Sequence, residues 1–240
     1  MPQHEITLLG SMDVALGTRA FRFARPAAFS FAPGQYADFS LIDPPATDDA
    51  GTVRSFSLAS APHEGELMIA TRMRDSAFKR TLGALPAGSR VALDGPHGEL
   101  LLDDEARPLV LLAGGIGITP FLSMLRHVAQ TGTAERDITL VYGNRTSEAA
   151  AFRHELAGLA TRLPRFRIVD VMSEPHACVE PWRGESGFID EKLITRHVAD
   201  LDAPLWYIVG PPAMTAAMRD VLMNVGIEDD AVRVEDFAGY

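Results

Sequence analysis

The glycine-rich segment from 108 to 125 constrains the fold of this chain more than any other stretch. Its letters, PLVLLAGGIGITPFLSML, run from strand-like apolar residues through the glycine turn at 114–117. Pro120 suits the first helical position, where no N–H is needed, and we expect Thr119 to cap the helix. A strand, a tight turn and a helix N-terminus in this order present backbone N–H groups to a phosphate in parallel α/β sheets.

The residues after this segment repeat the same alternation of strand and helix. Short apolar runs are each followed by a helical pattern, as in the helix predicted near 190–197. Such a βαβ series predicts a mostly parallel sheet that is covered on both faces. The predicted strands are 109–113, 138–142, 166–171, 205–209 and 232–237.

The first part of the chain has a different pattern. Short strand-like runs are separated by Pro and Gly clusters, which predicts an antiparallel barrel or sandwich with one helix at 76–85. Because the pattern changes at the charged stretch 103–105, we predict a barrel domain at 1–103 and an α/β domain at 104–240. Strands are expected at 36–42, 53–59, 67–73 and 90–93.

Composition excludes several functions. The net charge of −10 argues against nucleic acid as the main partner. The single cysteine, Cys178, cannot form an iron–sulfur cluster, an internal disulfide or a structural zinc site, and the seven histidines lack metal-ligand spacing, so no metal is expected. The N-terminus lacks the basic and apolar regions of a signal peptide, and glycines and Pro120 interrupt the longest apolar run. We therefore expect a cytoplasmic protein without a membrane span.

Three special turns follow predicted parallel strands, at 114–117, 143–145 and 210–212. The carboxyl ends of parallel strands share one edge of a sheet, so these turns are expected to form one ligand crevice. Asn144 and Arg145 stand where many dehydrogenases carry an acid for the ribose. An arginine can bind a 2′-phosphate, which favours NADPH; an ordinary exposed loop arginine is the alternative, and the choice between NADH and NADPH stays open.

Five motifs in order resemble the ferredoxin–NADP reductase family over essentially the whole chain. They are Arg54-Ser55-Phe56-Ser57, the segment 114–120, Tyr142-Gly143-Asn144-Arg145, Gly210-Pro211-Pro212-Ala213-Met214 and Glu235-Asp236-Phe237. The resemblance implies an FAD-binding antiparallel barrel followed by an NAD(P)-binding α/β domain.

The resemblance also implies roles for single residues. Arg54 would pair with the flavin phosphates, Phe56 would pack on the flavin ring, and the Ser57 hydroxyl would reach flavin N5. The family usually has Tyr where Phe56 stands, and many members have Cys where Val209 stands. These departures affect binding and fine positioning rather than the reaction class.

The segment 71–79 resembles the family's second flavin-phosphate segment, so FAD is favoured over FMN. Glu235 and Phe237 match a C-terminal motif whose aromatic ring covers the flavin, although Tyr240 is an alternative for that ring. Ser57 and Glu235 are the predicted catalytic residues. The predicted cofactor-binding residues are Arg54, Ser55, Phe56, Ser57, Arg72, Ser76, Phe78, Lys79, Gly114, Gly115, Gly117, Thr119, Pro120, Asn144, Arg145, Gly210, Pro211, Pro212, Met214 and Phe237.

The resemblance implies an enzyme, a flavoprotein reductase that passes hydride from NADH or NADPH to FAD. Electrons would then go to a separate acceptor such as a ferredoxin, a haem protein or an oxygenase component. Two alternatives remain open: a non-catalytic electron-relay flavin subunit of a larger complex, and a reductase of a small molecule or quinone.

Overall fold

A computed structural model describes residues 4–102, 107–131 and 136–237. Its strands form two sheets of six strands each. The first sheet contains β1 (His4–Ala15), β2 (Thr18–Ala24), β3 (Tyr36–Leu41), β4 (Val53–Ser57), β5 (Glu66–Arg72) and β6 (Arg90–His97). The second contains β7 (Leu109–Gly114), β8 (Ile138–Asn144), β9 (Phe166–Met172), β10 (Glu185–Ser186), β11 (Leu205–Gly210) and β12 (Val232–Asp236).

The first sheet is antiparallel, in the order β4-β3-β6-β1-β2-β5. Its outer strands β4 and β5 also contact each other, so the sheet curls into a barrel. Burial alternates along β3, as expected for a sheet with one face in the core. That core is rich in phenylalanine, and helix α1 (Ala77–Ala84) contributes Phe78 to it.

The second sheet is parallel, in the order β10-β9-β8-β7-β11-β12. Strands β7 and β11 are buried at every position, because helices cover both faces. Those helices are α2 (Ile118–Thr131), α3 (Arg153–Arg162), α4 (Glu191–His197) and α5 (Pro212–Asn224). Strand order reverses between β7 and β11, and ligands of open parallel sheets bind at such a switch point.

These two sheets confirm the predicted fold class. The predicted boundary between 103 and 104 lies outside the described residues, between the end of β6 and the start of β7. Within the described ranges, no helix combines the length and the apolar character that a bilayer crossing needs.

The predicted helix cap at Thr119 is wrong. Residues Gly115–Gly117 form a 3₁₀ turn that runs directly into α2, so the helix begins at Ile118. Thr119 lies inside the first turn, where its hydroxyl donates to the Ile116 carbonyl at 3.1 Å instead of accepting a backbone N–H. Pro120 consequently lies two residues into the helix, still within the turn that needs no intrahelical donor.

Candidate functional site

A cleft of about 880 Å³ lies between the barrel and the parallel sheet. At one end it reaches strand β4 and the N-terminus of α1, and at the other it reaches Thr119 and the end of β12. Its lining includes Tyr36, Asp38, Asp48, Arg54, Ser55, Phe56, Ser57, Arg74, Ser76, Lys79, Thr119, Glu235 and Phe237. The cleft therefore joins the predicted residues of β4 and α1 to Thr119, Glu235 and Phe237. The other predicted site residues are not part of its lining: Arg72, Phe78, Gly114, Gly115, Gly117, Pro120, Asn144, Arg145, Gly210, Pro211, Pro212 and Met214.

Ser57 is a buried polar residue on the barrel side of the cleft. It is 5 % exposed and pairs across the sheet with Tyr36, which also lines the cleft. Within the described residues its Oγ meets no partner at full hydrogen-bond geometry, and it faces the Glu235 carboxyl, whose pKa it lowers. Ser55 differs, because its exposed hydroxyl donates to Asp38 Oδ1 at 2.5 Å.

The Arg54 guanidinium lies at the outer end of the cleft, held by the loop that precedes β4. Nη1 donates to the carbonyls of Ala50 at 2.7 Å and Gly51 at 3.1 Å, and Nη2 donates to Asp48 Oδ1 at 3.2 Å. The guanidinium also lies 5.2 Å from the centre of the Phe78 ring, a cation–π distance. Arg54 is therefore oriented before any ligand arrives.

The two phenylalanines assigned to the cofactor are placed differently. Phe56 lines the cleft and is half-buried, with its ring 5.9 Å from those of Phe39 and Phe78. Phe78 is 1 % exposed and belongs to the barrel core. Phe78, predicted to bind the cofactor, thus lies under the Arg54 guanidinium rather than in the lining of the cleft.

The N-terminus of α1 supplies a second group of donors to the same end of the cleft. Ser76 caps the helix by accepting the Lys79 N–H at 3.2 Å. Burial, followed by the charges of Arg74 and Arg54, lowers the pKa of Lys79. Three cations converging on one helix N-terminus make this end of the cleft suitable for an anionic ligand.

Arg72 lies away from that helix, against the glycine turn of the other sheet. A Cβ built on Gly115 would be 3.1 Å from Arg72 Nη2, and the turn itself has a φ of +54° at this glycine. The guanidinium thus comes from the barrel to the turn where a dinucleotide phosphate is expected.

The glycine turns at the switch point approach each other too closely for side chains. A Cβ on Gly114 would be 2.1 Å from Met214 Sδ and 3.1 Å from Pro211. A Cβ on Gly117 would be 2.3 Å from the Val209 carbonyl oxygen. The turns after β7 and β11 therefore form one closely packed edge, with Pro212 opening α5 beside them.

At the end of β8, Asn144 is 7 % exposed, and its side-chain amide interacts with the Tyr142 hydroxyl. The next residue, Arg145, is exposed and lies 3.8 Å from the Glu174 carboxylate. A backbone hydrogen bond of 2.8 Å from Glu174 N to Arg145 O fixes this pairing. An acid therefore stands beside Arg145, supplied by the segment after β9.

Strand β12 places Glu235 opposite Ser57. Burial raises the pKa of the Glu235 carboxyl to about 7, and the nearby Ser57 hydroxyl partly opposes that shift. Asp236 accepts a hydrogen bond from the Thr215 hydroxyl, and Phe237 N donates to the Gly210 carbonyl at 2.9 Å. These bonds attach the end of the described chain to the switch point, while Tyr240 lies outside the described residues.

Four residues of interest were not singled out by sequence reasoning. Tyr36 and Asp48 reach the cleft from the barrel, and Glu174 and the 83 % exposed Phe188 stand near the ends of β8 and β9. Phe188 is placed there by its neighbour Ile189. The Ile189 side chain packs against Gly143 of β8, 3.4 Å from where a Cβ on that glycine would be. Of the four, only Glu174 had a signal in the sequence. It follows β9 directly, in Ser173-Glu174-Pro175, and an acid at that point lies at the same sheet edge as Arg145.

Comparison with known proteins places this geometry in a family. Residues 111–220 match the family model of the oxidoreductase NAD-binding domain. A component of the Na(+)-translocating NADH-quinone reductase of Shewanella denitrificans is 29 % identical over 220 residues, covering 86 % of this chain and 54 % of that protein. Its counterpart from Idiomarina loihiensis is 28 % identical over the same length, with the same coverage. The chain spans about half the length of the curated relatives it matches.

Solved structures share the whole fold. A ferredoxin NADP+ reductase from Neisseria gonorrhoeae, with bound FAD and NADP, has a TM-score of 0.81 at 22 % identity, covering 98 % of both chains. The FAD/NAD-binding domain of a Vibrio cholerae nitric oxide dioxygenase has a TM-score of 0.83 at 17 % identity, covering 97 % of this chain and 98 % of that one. An Amycolatopsis cytochrome P450 reductase reaches 0.82 at 24 % identity, covering 98 % and 70 %.

The fold and the cleft define an oxidoreductase in which an antiparallel barrel faces a parallel nucleotide-binding sheet. The chain matches the oxidoreductase NAD-binding domain at 111–220, and its overall fold is that of a ferredoxin NADP+ reductase. The resemblance predicted from the five motifs is confirmed.

Proposed function

We propose that this protein is an NADH-dependent flavoprotein reductase that passes electrons from FAD to a separate acceptor. One observation carries the proposal. A single cleft runs from the cationic end at Arg54 and α1 to Thr119, which follows the Gly115–Gly117 turn, and to the end of β12, with the buried Ser57 hydroxyl on its wall.

The residues present fit FAD. Arg54 and the α1 N-terminus suit its diphosphate, and the cleft volume of about 880 Å³ lies within the range of cofactor sites. The buried Ser57 hydroxyl and the Glu235 carboxyl that it faces offer a polar ligand atom two partners in the cleft. Phe56 and Tyr36 offer aromatic surface along the same wall.

A bound flavin accepts hydride from a reduced nicotinamide and releases electrons to an acceptor. The protein supplies position and proton control. The Ser57 hydroxyl would orient the flavin edge that it faces, and the Gly114–Gly117 and Gly210 turns would hold the nicotinamide nucleotide at the switch point. Glu235, whose pKa is about 7, can hold or release a proton beside Ser57 near neutral pH.

The nucleotide preference that we propose rests on Glu174. Arg145 alone would favour a 2′-phosphate, but the Glu174 carboxylate 3.8 Å away neutralises that guanidinium and repels added negative charge. The same carboxylate can accept hydrogen bonds from ribose hydroxyls, as acids do in dinucleotide sites. Phe188 is exposed and precedes Ile189, which lies against Gly143 of β8, so its ring would offer a stacking surface for the adenine.

Binding of 2′,5′-ADP and 5′-AMP tests this preference without any turnover. We expect the protein to bind 5′-AMP more tightly, and we expect Glu174→Gln to strengthen 2′,5′-ADP binding while 5′-AMP changes little. Arg145→Ala should weaken only 2′,5′-ADP in the Glu174→Gln background. Glu180→Gln, which removes an exposed acid from the same connection, serves as the control. Equal responses to both nucleotides would remove Glu174 from the assignment.

A second candidate function is that of a reductase module in a larger assembly. It is favoured by the curated relatives, which are nearly twice as long as their matched part and are named as subunits. Both functions share the flavin and nucleotide sites and differ in the acceptor, a separate redox protein in one case and another protein of the same assembly in the other.

An anaerobic titration tests the proposed function. The purified protein should show a flavin spectrum, and NADH should bleach it faster than NADPH at equal concentration. Re-oxidation should be fast with a one-electron acceptor. A flavin-loaded protein that neither nucleotide reduces would rule out the reductase, whereas slow re-oxidation by every soluble acceptor would favour the module of an assembly.

A further inference from the structure

The loop between β3 and β4 crosses the cationic end of the cleft and is held there by one carboxylate. Asp48 Oδ2 accepts the Ala77 N–H of α1 at 3.0 Å. Asp48 Oδ1 accepts the Ala50 N–H at 3.2 Å and faces Arg54 Nη2 at 3.2 Å. One side chain thus occupies both the helix N-terminus and the guanidinium.

These donors are the ones that the proposed function assigns to the flavin diphosphate. A carboxylate and a phosphate both present negative oxygen acceptors, and a helix N-terminus accommodates either. The pKa of Asp48 is held below its ordinary value, mainly by the Ala77 N–H and then by Arg54, so the carboxylate is charged at neutral pH. Two anions cannot share these donors without repulsion in a partly enclosed cleft.

The rest of the loop does little to hold Asp48 in place. Between 42 and 50, each described residue is exposed or half-exposed, so the loop buries no apolar side chain. Arg54 bonds to the carbonyls of Ala50 and Gly51, which fastens the loop through the same guanidinium. If Arg54 contacted a phosphate instead of these loop groups, the loop would be released at a small cost in free energy.

We propose that Asp48 is a built-in substitute for the flavin phosphate, so that flavin binding is an exchange in which the diphosphate displaces the carboxylate. This inference rests on the proposed function, since it takes the cationic end of the cleft as the flavin-phosphate site. The exchange weakens flavin affinity, keeps Arg54 oriented in the flavin-free protein and speeds flavin release. A different role for Asp48, the positioning of Arg54 for the phosphate, predicts the opposite effect on affinity.

The experiment compares flavin-stripped full-length protein with Asp48→Ala and Asp48→Asn. The control is Asp49→Asn, which removes the same charge from the adjacent exposed position. Affinities for FAD and riboflavin are measured by flavin fluorescence, and inorganic pyrophosphate is titrated by calorimetry. Both Asp48 variants should bind FAD about tenfold more tightly, with slower release, because a competing charge is gone. Riboflavin, which lacks phosphate, should bind all four proteins alike.

Weaker or unchanged FAD binding in both Asp48 variants would overturn the exchange and identify Asp48 as a positioning residue for Arg54. If Asp49→Asn tightened FAD binding to the same degree, the loss of any negative charge in this loop would explain the effect, and the exchange would be overturned as well. Absence of FAD binding by the unaltered protein would instead count against the proposed function. The pyrophosphate titration tests the exchange independently of flavin. Tighter pyrophosphate binding by the Asp48 variants than by the unaltered protein supports the exchange, and equal binding overturns it.

Discussion

At the scale of single residues, Ser57 combines burial with a hydroxyl that meets no partner at full hydrogen-bond geometry among the described residues and faces only the Glu235 carboxyl. Its removal should therefore cost the fold little, while a ligand atom would lose its hydrogen bond. Ser57→Ala should therefore retain flavin but slow its reduction by NADH about tenfold or more in stopped flow. Ser11→Ala, which removes an exposed hydroxyl of β1 away from the cleft, should leave the rate within about twofold. Equal rates for both variants would exclude the Ser57 contact.

Glu235 gives a prediction about pH. Its pKa of about 7 in the folded protein exceeds the ordinary 4.5, so between these values the folded state keeps a proton that the unfolded chain has lost. Stability from this group is therefore complete at low pH and falls as pH rises through the window. Glu235→Gln stays neutral, so its thermal midpoint relative to the unaltered protein should rise from about pH 5 to about pH 8. The exposed Glu228→Gln should show no such trend; a flat difference for Glu235→Gln would contradict the raised pKa.

At the scale of elements, helix α1 joins stability to ligand binding through its cap. Ser76 accepts the Lys79 N–H at 3.2 Å, and Asp190 caps α4 in the same way by accepting the Leu193 N–H at 2.8 Å. Either residue changed to Ala should lower the free energy of unfolding by about 1 kcal/mol. Of the two variants, only Ser76→Ala should also weaken FAD binding, because α1 begins at the cleft and α4 does not line it. A matching loss of FAD affinity in Asp190→Ala would show that lost stability alone explains the effect.

The elements also show what the sequence could predict. Periodicity located five of the six parallel strands within a residue or two, and the α1 helix with Ser76 at its start, because apolar spacing and capping chemistry are local. It missed the two-residue strand β10, which is too short to show a period. It misplaced the start of α2, since a 3₁₀ turn can extend a helix into a glycine turn without a local signal. Phe78 was assigned to the cofactor because its motif neighbours are, although packing placed it in the core.

The contacts of the site were harder to predict than its strands. Arg54 was identified from its motif, but Asp48 reaches it through a loop closure that no spacing rule describes. Glu174 meets Arg145 only because β8 and β9 are adjacent in the parallel sheet. Both pairings depend on tertiary structure. A single sequence can therefore suggest which residues belong to the site, but not which of them contact each other.

At the scale of the whole molecule, the seam between the two sheets determines the geometry of the cleft. Helix α2, which follows the glycine turn, donates from Ser123 Oγ to the Ser60 carbonyl of the barrel at 2.7 Å. Farther along the seam, Tyr207 Oη donates to the Leu101 carbonyl at 2.9 Å. One cluster of buried apolar residues contains side chains from both sheets. Packing within this shared core therefore fixes the orientation of the barrel relative to the parallel sheet.

Arg126 is the polar centre of that seam. It is mostly buried and donates to the Ala59 carbonyl at 3.1 Å, while ion pairs of 3.3 Å to Glu64 and 2.6 Å to Glu155 link the barrel to α3. Arg126→Met keeps the aliphatic stem but leaves two carboxylates without their cation, so the free energy of unfolding should fall by about 2 kcal/mol in urea.

The control for Arg126→Met is Arg219→Met, which breaks an exposed ion pair of 2.7 Å with Asp229 and should cost less than about 0.5 kcal/mol. Because α2 carries both Arg126 and the helix start behind the glycine turn, the seam variant should also slow flavin reduction by NADH, whereas the control should not. Unfolding in two separate steps would show that the barrel and the parallel sheet fold independently. If Arg126→Met were as stable as its control and its flavin were reduced as fast, the Arg126 contacts would have no part in positioning the cleft.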